Sequence, residues 1–187
     1  MNNRDIAFEL LPYLKADLKR AYFIKTGSVS HPKKTRLWMG VLAPRFLPIL
    51  LCRVAYFFHT KNMKQVAKLV SFFNFFTFGI EIALSCRIGK GLYLPHTHGT
   101  VIGAVEIGEN ATIFQGVTIG SRELDLSFDP TLRPQIGDGV VIGSGAKILG
   151  GISVGNTARI GANAVVLASV PAKMFAVGVP AKNKWPS

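Results

Sequence analysis

The sequence predicts a mainly β protein: a parallel β-helix built from a six-residue repeat and preceded by an α-helical N-terminal region. Three observations support this prediction. The composition changes near residue 80, apolar residues recur at helical spacing before that point, and aliphatic residues recur at every sixth position after it. The 187 residues suffice for one ordinary domain with an additional arm. The 49% apolar content excludes a disordered chain, because a core can be buried.

The N-terminal region is basic and rich in phenylalanine. Residues 1–80 contain 13 Lys and Arg against 3 Asp and Glu, and 10 of the 13 Phe, whereas 16 of the 19 Gly lie in the rest of the chain. Apolar residues recur at helical spacing over 10–23 and 65–76, and Pro44 and Pro48 interrupt the pattern between these segments. We therefore expect several helices rather than one.

The stretch 33–78 is a candidate for contact with a membrane surface. Arg45, Arg53 and two prolines oppose a membrane span, because a central Arg costs about 2.5–3.5 kcal/mol on insertion scales. Helices that are apolar, aromatic and basic suit an anionic membrane surface. Packing on the C-terminal half or on another subunit is the alternative. The basic residues are dispersed without a nucleic-acid-binding motif, so no nucleic acid is expected as a partner.

The strongest pattern is an aliphatic residue at every sixth position of the C-terminal half. Gly often follows it, and a mostly small residue stands four positions after it. This period is typical of a β-helix, in which each unit forms a short strand and a turn and the aliphatic side chain points inward. Small residues allow the coils to stack closely. The predicted inward positions are Ile82, Ile88, Leu94, Val101, Ile107, Ile113, Ile119, Ile136, Ile142, Ile148, Val154, Ile160 and Val166.

Two interruptions of the repeat are candidate functional regions, because repeat proteins commonly carry function where the repeat is broken. The first is a seven-residue step that ends at Val101 and contains His96 and His98. The second follows Ile119 and leaves about eleven extra residues, 125–135, which we expect to form a loop outside the solenoid.

These boundaries divide the chain into a helical region over 1–79, a β-helix domain over 80–182 with an extended loop at about 121–135, and a tail over 183–187. Two cysteines are too few for a disulfide framework or a zinc ribbon. The first residues lack the apolar segment and cleavage site of a secretory signal. A cytoplasmic location is expected, with peripheral contact at the inner face of the membrane as a further hypothesis.

The individual motifs resemble a known family. FGIEI at 78–82, IGKGLYLPHTHGTVIG at 88–103, IFQGVTIG at 113–120 and VGVPAK at 177–182 are similar to motifs of the hexapeptide-repeat acyltransferases, within their serine acetyltransferase-like branch. The aromatic, basic arm also resembles acetyltransferases of capsule and exopolysaccharide clusters, including the colanic-acid type. The resemblance implies a left-handed parallel β-helix and a homotrimer with active sites in the clefts between subunits.

The resemblance also implies the chemistry: acetyl-CoA donates the acyl group, without a metal and without a covalent acyl-enzyme. The family's histidine corresponds to His96 and the acid that orients it to Glu81. A hydroxyl is a weak nucleophile that needs a base, and a free imidazole, whose pKa is about 6.5, can supply one. A carboxylate on the other ring nitrogen fixes the tautomer and stabilises the imidazolium. Glu81 precedes His96 by 15 residues, close to one coil of three repeats, so the spacing allows a contact.

Further site residues are carried over from the resemblance. Repeat packing alone also explains small residues at such positions, and the polar residues among them could simply face solvent. The candidates for cofactor binding are Gly120, Ser144, Ala162 and Lys182, and those for substrate binding are Gln115, His98 and Arg133.

Two departures from the serine enzymes bear on the acceptor. Those enzymes carry an Asp where this chain has Pro95, and an Arg-His pair where it has Leu132 and Arg133. The replaced groups hold the ammonium and carboxylate of serine, and a site without such groups discriminates against a polar substrate. We therefore predict a sugar hydroxyl of a surface-polysaccharide pathway as the acceptor. Serine, for cysteine biosynthesis, is the alternative.

Two other classes of function are alternatives to an acyltransferase. A metalloenzyme similar to the gamma carbonic anhydrases needs three His ligands, whereas the repeat region contains only His96 and His98. The other is a non-catalytic β-helix scaffold, which failure to bind CoA would favour.

Overall fold

The computed structural model describes residues 8–27 and 40–185. Residues 33–39 of the predicted membrane-contact stretch and residues 186–187 of the predicted tail lie outside these ranges. Within them, the helices predicted for the N-terminal region are confirmed: α1 is Leu10–Thr26, α2 is Leu47–Thr60 and α3 is Lys64–Phe78, with a short 3-10 helix at Gly40–Leu42.

The repeat region consists of very short strands. A 3-10 helix at Pro130–Leu132 lies in the long loop between two of them. The strands are β1 Ile80–Ile82, β2 Arg87–Ile88, β3 Thr100–Ile102, β4 Glu106–Ile107, β5 Thr112–Ile113, β6 Thr118–Gly120, β7 Gln135–Ile136, β8 Val141–Ile142, β9 Lys147–Leu149, β10 Ser153–Val154, β11 Arg159–Ile160, β12 Val165–Val166, β13 Phe175–Val177 and β14 Lys182–Lys184.

The strands form three sheets, which are the three faces of a β-helix. The first sheet is β1-β3-β6-β9-β12, the second is β2-β4-β7-β10 and the third is β5-β8-β11-β13-β14. The chain passes from the first to the second to the third sheet in every coil, and neighbouring strands are parallel. The exception is β14, which pairs antiparallel with β13. The predicted tail therefore begins inside a strand.

The aliphatic residues of the repeat fill the interior, as predicted. Ile142 and Ile148 are fully buried, and Ile136, Val154, Ile160 and Val166 are at most 3% exposed. Val101 is the exception, because it is 40% exposed and its neighbour Ile102 is the buried residue that pairs with Ile82 and Ile119. The prediction of an inward Val101 is therefore wrong. The first interruption is therefore a step of eight positions, from Leu94 to Ile102, and not the predicted step of seven.

The second interruption has the predicted size. The backbone pairs Ile107 with Ile136 and Ile119 with Ile148, positions 29 residues apart. A regular coil pairs residues 18 apart, as Ile142 and Ile160 do. The insertion therefore contains the eleven residues that the sequence predicts, and the strands on either side of it stay in register.

A buried ion pair fixes the helices to the first coils. Asp17 of α1 and Arg53 of α2 are 0% and 2% exposed, with 2.9 Å between Asp17 Oδ2 and Arg53 Nε. Asp17 Oδ1 also accepts hydrogen bonds from the backbone N–H groups of Gly91 and Leu92 at 2.8 and 2.9 Å. The helices are thus anchored just before the segment that contains His96. Within the described ranges, no helix combines the length and the apolar character that crossing a membrane requires.

Candidate active site

One corner of the β-helix collects four of the predicted site residues. His98, Gln115, Ser144 and Ala162 occupy equivalent turns between the third and first sheets in successive coils. We call this line of turns the histidine corner. Neighbouring strands lie about 4.8 Å apart, so the line is about 14 Å long. Each turn ends in a residue with positive φ, and these residues are Gly99, Gly116, Gly145 and Asn163.

Backbone hydrogen bonds join the turns of the histidine corner into a ladder. The carbonyl oxygens of His98, Gln115 and Ser144 each accept an N–H from the next coil, at 3.1, 2.9 and 2.8 Å. The Gln115 Oε1 atom is buried and makes no hydrogen bond within the described part of the chain. A buried amide oxygen without a donor is costly. Gln115 therefore suits a hydrogen-bond donor supplied by a ligand or by another subunit.

The two histidines lie together on an exposed strip at the upper end of this corner, which is the end formed by the first of its four turns. His96 and His98 are exposed, and Thr97 between them is buried. Thr97 Oγ1 donates a hydrogen bond to the Phe78 carbonyl oxygen at 2.8 Å. The His98 ring packs against Gly79: a Cβ atom added to Gly79 would lie only 3.3 Å from His98 Cδ2. The end of α3 thus holds the histidine loop in place.

Glu81 and His96 belong to adjacent coils. Glu81 is the exposed middle residue of β1 and pairs in register with Val101 of β3. Among the described residues, no hydrogen bond or ion pair reaches the Glu81 carboxylate or the His96 ring. The structure therefore brings the two residues to neighbouring coils without a direct bond between them.

Gly120 and Arg133 lie at a different corner. Gly120 ends β6, where the first sheet gives way to the long loop and the second sheet, and the space beside its Cα is open. Arg133 closes the same loop, and its Nη1 donates to the Gly103 carbonyl oxygen at 3.0 Å, just after β3. We call this the loop corner. Within one chain, the predicted site residues thus form two groups at opposite ends of the strands of the first sheet.

Arg133 is engaged inside its own loop. Its Nε donates to Asp125 Oδ2 at 2.7 Å, its Nη2 donates to the Asp125 carbonyl oxygen at 3.1 Å, and its guanidinium lies 4.1 Å from the Phe128 ring. The side chain is only 12% exposed. Burial raises the pKa of the Asp125 carboxyl, but hydrogen bonds from Arg133 and from two other loop residues outweigh it, so this pKa lies below its ordinary value. The pair gives the loop a defined shape.

Two lysines complete the surroundings of the histidine corner. Lys182 begins β14, and the preceding Ala181 N–H donates to the Val165 carbonyl oxygen at 2.8 Å, so Lys182 lies beside the lower end of the corner. Lys147 is not among the residues predicted from the sequence, and its Nζ donates to the Gly116 carbonyl oxygen at 2.7 Å. Its position directly before the inward Ile148 is a signal that could have identified it as an outward residue of the first sheet.

Neither cysteine is available as a nucleophile. Burial raises the pKa of Cys52 to about 11 and that of Cys86 to about 12, so both stay protonated at neutral pH. In the part of the chain that the structure describes, no group of three or more His, Cys, Asp or Glu residues could hold a metal ion.

Comparison with known proteins agrees with this architecture. Residues 133–168 match the family described as bacterial transferase hexapeptide (six repeats). The serine acetyltransferase of Helicobacter pylori is 39% identical over 168 residues, which are 89% of this chain and 96% of that protein. The serine acetyltransferase of Staphylococcus epidermidis is 44% identical over 122 residues, 64% of this chain and 56% of that protein.

Solved structures show the same likeness. The serine acetyltransferase of Neisseria gonorrhoeae superposes with a TM-score of 0.80 and 32% identity, over 94% of this chain and 64% of that one. A serine acetyltransferase in complex with CoA superposes with a TM-score of 0.77 and 30% identity, over 94% of this chain and 69% of that one. The chain therefore spans about two thirds of these structures and nearly all of the Helicobacter protein.

The repeat, the three-sided solenoid and these matches define the class of protein as a hexapeptide-repeat acyltransferase with a left-handed β-helix. Within that class, the chain belongs to the serine acetyltransferase family, to which the relative matched over nearly its full length assigns it. The predicted likeness to capsule and colanic-acid acetyltransferases is not supported, because the relatives described above are serine acetyltransferases. These relatives favour serine, the alternative acceptor of the sequence analysis.

Proposed function

We propose that the protein is a serine O-acetyltransferase, which transfers the acetyl group of acetyl-CoA to the side-chain hydroxyl of serine. The observation that carries this proposal is the match with the Helicobacter pylori serine acetyltransferase, at 39% identity over 96% of its length. Because at most 19 of the 187 residues lie outside a match of 168 residues, it includes α2, α3, the histidine loop and the long loop. The acceptor-binding parts are therefore inside the matched region.

The histidine corner supplies the groove for the donor. Ser144 and Ala162 are small residues in stacked turns, so a long thin molecule can lie along the corner against backbone and small side chains. Lys182 lies near the lower end, where its ammonium suits a phosphate group of CoA. The serine acetyltransferase solved with CoA has the same fold, which supports this assignment.

His96 is the proposed general base. Its ring is exposed beside the corner, next to the expected thioester. The imidazole takes the proton of the acceptor hydroxyl, and the oxygen attacks the thioester carbonyl carbon. The carbon–sulfur bond then breaks, and the imidazolium returns the proton to the CoA sulfur. Glu81 on the adjacent coil stabilises the imidazolium once substrates draw the two side chains together.

The site is complete only between subunits in this proposal. The histidine corner and the loop corner lie at opposite ends of the first sheet, so one small acceptor cannot meet both within one chain. In a homotrimer, the loop corner of one subunit, with Gly120 and Arg133, would face the histidine corner of its neighbour. Gln115 Oε1, which is buried without a donor, would then find its partner in the cleft.

A second candidate function is transfer to a neutral hydroxyl such as that of a sugar. Two observations favour it. Pro95, the residue before the general base, is buried and carries no charge for an ammonium. Arg133 already uses three of the five N–H groups of a guanidinium within its loop. A substrate carboxylate can reach only the remaining two.

The decisive experiment follows thiol release from acetyl-CoA with L-serine and with a panel of sugars and nucleotide sugars. His96→Ala should lower kcat about 10²–10⁴-fold, as expected for loss of a positioned base. His59→Gln on α2, outside the proposed site, is the matched control and should keep wild-type activity. Turnover of serine that depends on His96 supports the proposal. Turnover of a sugar but not of serine would replace it with the second candidate, and CoA binding without any turnover would overturn both.

His96→Ala removes the proposed base and Arg133→Ala removes the side chain that holds the long loop to Gly103, so we expect each variant alone to be inactive, and mixing them tests the shared site. In a trimer assembled at random from equal amounts of His96→Ala and Arg133→Ala chains, about one quarter of the clefts combine an intact histidine corner with an intact loop corner. Co-expression should therefore restore about a quarter of the activity. Activity that stays at the level of either variant alone would mean that both groups serve the same chain.

A further inference from the structure

One face of α3 is apolar and has no partner among residues 8–27 and 40–185. Leu69, Phe72, Phe73 and Phe76 follow the spacing of a single helical stripe and are 68%, 63%, 56% and 79% exposed. The opposite face packs on α2, where Ala67 is fully buried and Asn74 Nδ2 donates to the Pro48 carbonyl oxygen at 3.1 Å. One face of the helix is therefore covered by α2, whereas the apolar stripe on the other face is left exposed by the described residues.

The charges around this stripe have one sign. Lys61, Lys64 and Lys68 lie on or just before α3 and are exposed. Neither α2 nor α3 contains an aspartate or a glutamate, and no acidic residue occurs between Asp17 and Glu81. Lys64 and Lys68, four residues apart, lie along one edge of the apolar stripe. The surface thus combines aromatic side chains with uncompensated positive charge.

We propose that this face of α3 binds the surface of an anionic lipid bilayer, with the helix lying in the plane of the membrane. An apolar stripe of Phe and Leu enters the boundary between head groups and acyl chains, and flanking lysines meet the lipid phosphates. The helix has 15 residues and is about 22 Å long, which suits a position on the bilayer rather than through it.

The charges favour lipid over a second copy of the same face. Two α3 helices packed stripe to stripe would bring six lysines together without a carboxylate on either helix. Like charges at that distance repel, whereas anionic lipids compensate each lysine. The proposal is independent of the acceptor: serine and a sugar would both reach a site next to the membrane, because α3 leads directly into β1 and Glu81.

Cosedimentation with vesicles tests the proposal on the full chain. One set of vesicles contains phosphatidylcholine and phosphatidylglycerol, and the other phosphatidylcholine alone. The wild type should bind the anionic set, and less so as salt is added. The double variant Phe72→Ser with Phe76→Ser should bind at least about tenfold more weakly, because it removes the inserted apolar area. Lys64→Gln with Lys68→Gln should lose about fivefold for each lysine and only on the anionic set.

A matched control removes equally exposed apolar side chains elsewhere. Leu124 and Leu126 of the long loop are 87% and 88% exposed, and their replacement by Ser should leave vesicle binding unchanged. The molar mass of each variant is measured by light scattering, and its fold by circular dichroism. Absence of wild-type binding would overturn the proposal. An equal loss of vesicle binding in the Leu124 and Leu126 control would also overturn it. So would a Phe72 and Phe76 variant whose molar mass changes while its vesicle binding does not, because this face of α3 would then join subunits.

Discussion

Replacing Asp17 with Ala should destabilise the protein far more than the loss of a surface ion pair does. The variant leaves the Arg53 guanidinium buried, with the Ile88 and Gly89 carbonyl oxygens at 2.6 and 2.7 Å but no opposite charge. It also removes the acceptor of two buried N–H groups. Breaking a buried pair on one side costs about 3–5 kcal/mol, and each orphaned N–H adds about 1–3 kcal/mol. We expect a loss of at least about 4 kcal/mol.

The assay is urea unfolding followed by circular dichroism, at one protein concentration because assembly also contributes to stability. Glu106→Gln is the control, since Arg87 and Glu106 form an exposed pair with the same 2.9 Å distance and side chains 66% and 46% exposed. That change should cost no more than about 1 kcal/mol. If Asp17→Ala costs no more than this control, the pair does not anchor the helices.

A double variant separates the ion pair from its backbone contacts. Asp17→Leu with Arg53→Met removes both charges, and such replacements often restore stability. Here the replacement still leaves two backbone N–H groups and two carbonyl oxygens without partners. We therefore expect only partial recovery relative to Asp17→Ala. Full recovery would show that the charges alone carry the effect.

At the histidine corner, Gly145→Ala should lower Tm by several degrees in a thermal melt. The backbone φ is +70° there, and the new Cβ would lie 2.1 Å from Asn163 Oδ1. Gly120→Ala at the loop corner is the control, and it should melt like the wild type because the space beside Gly120 is open. The depressed pKa of Asp125 means that its contribution is complete above the ordinary carboxyl pKa and is lost as pH falls through the lowered value. Asp125→Asn should thus abolish an acid-induced loosening of the loop, measured by limited proteolysis.

The repeat is the part of the fold that the sequence predicts best, because a solenoid places each side chain by its position in the period. The eleven-residue insertion follows from counting, and the strands around it pair at the expected distance of 29 residues. The error at Val101 has a physical cause. The step from Leu94 to Ile102 is two residues longer than the repeat, and the step from Ile102 to Ile107 is one residue shorter. Counting back by six from Ile107 therefore gives Val101, although Ile102 is the inward residue.

The predicted site residues separate according to what determines their positions. His98, Gln115, Ser144 and Ala162 come together because each occupies the same turn of the period. The proposed bond between Glu81 and His96 is absent from the structure, and it would depend on side-chain rotamers and on bound substrates, which periodicity does not encode. The buried pair of Asp17 and Arg53 could not be predicted from the periodicity either. Asp17 lies 36 residues from Arg53 and 74 residues from Gly91, whose N–H it also accepts.

The surroundings of Arg133 could not be predicted from the sequence, and they bear on the proposed acceptor. By the resemblance of its motifs, Arg133 occupies the position at which the serine enzymes carry a histidine. The structure buries its guanidinium against Asp125 and Gly103, so its charge is largely compensated before any substrate arrives. The loop can then present backbone groups and the two remaining N–H groups to an acceptor. If Arg133 takes part in binding the acceptor, we expect the choice between serine and a neutral hydroxyl to depend on how firmly Asp125 holds Arg133. Asp125→Asn should shift the acceptor preference toward the substrate that carries a carboxylate.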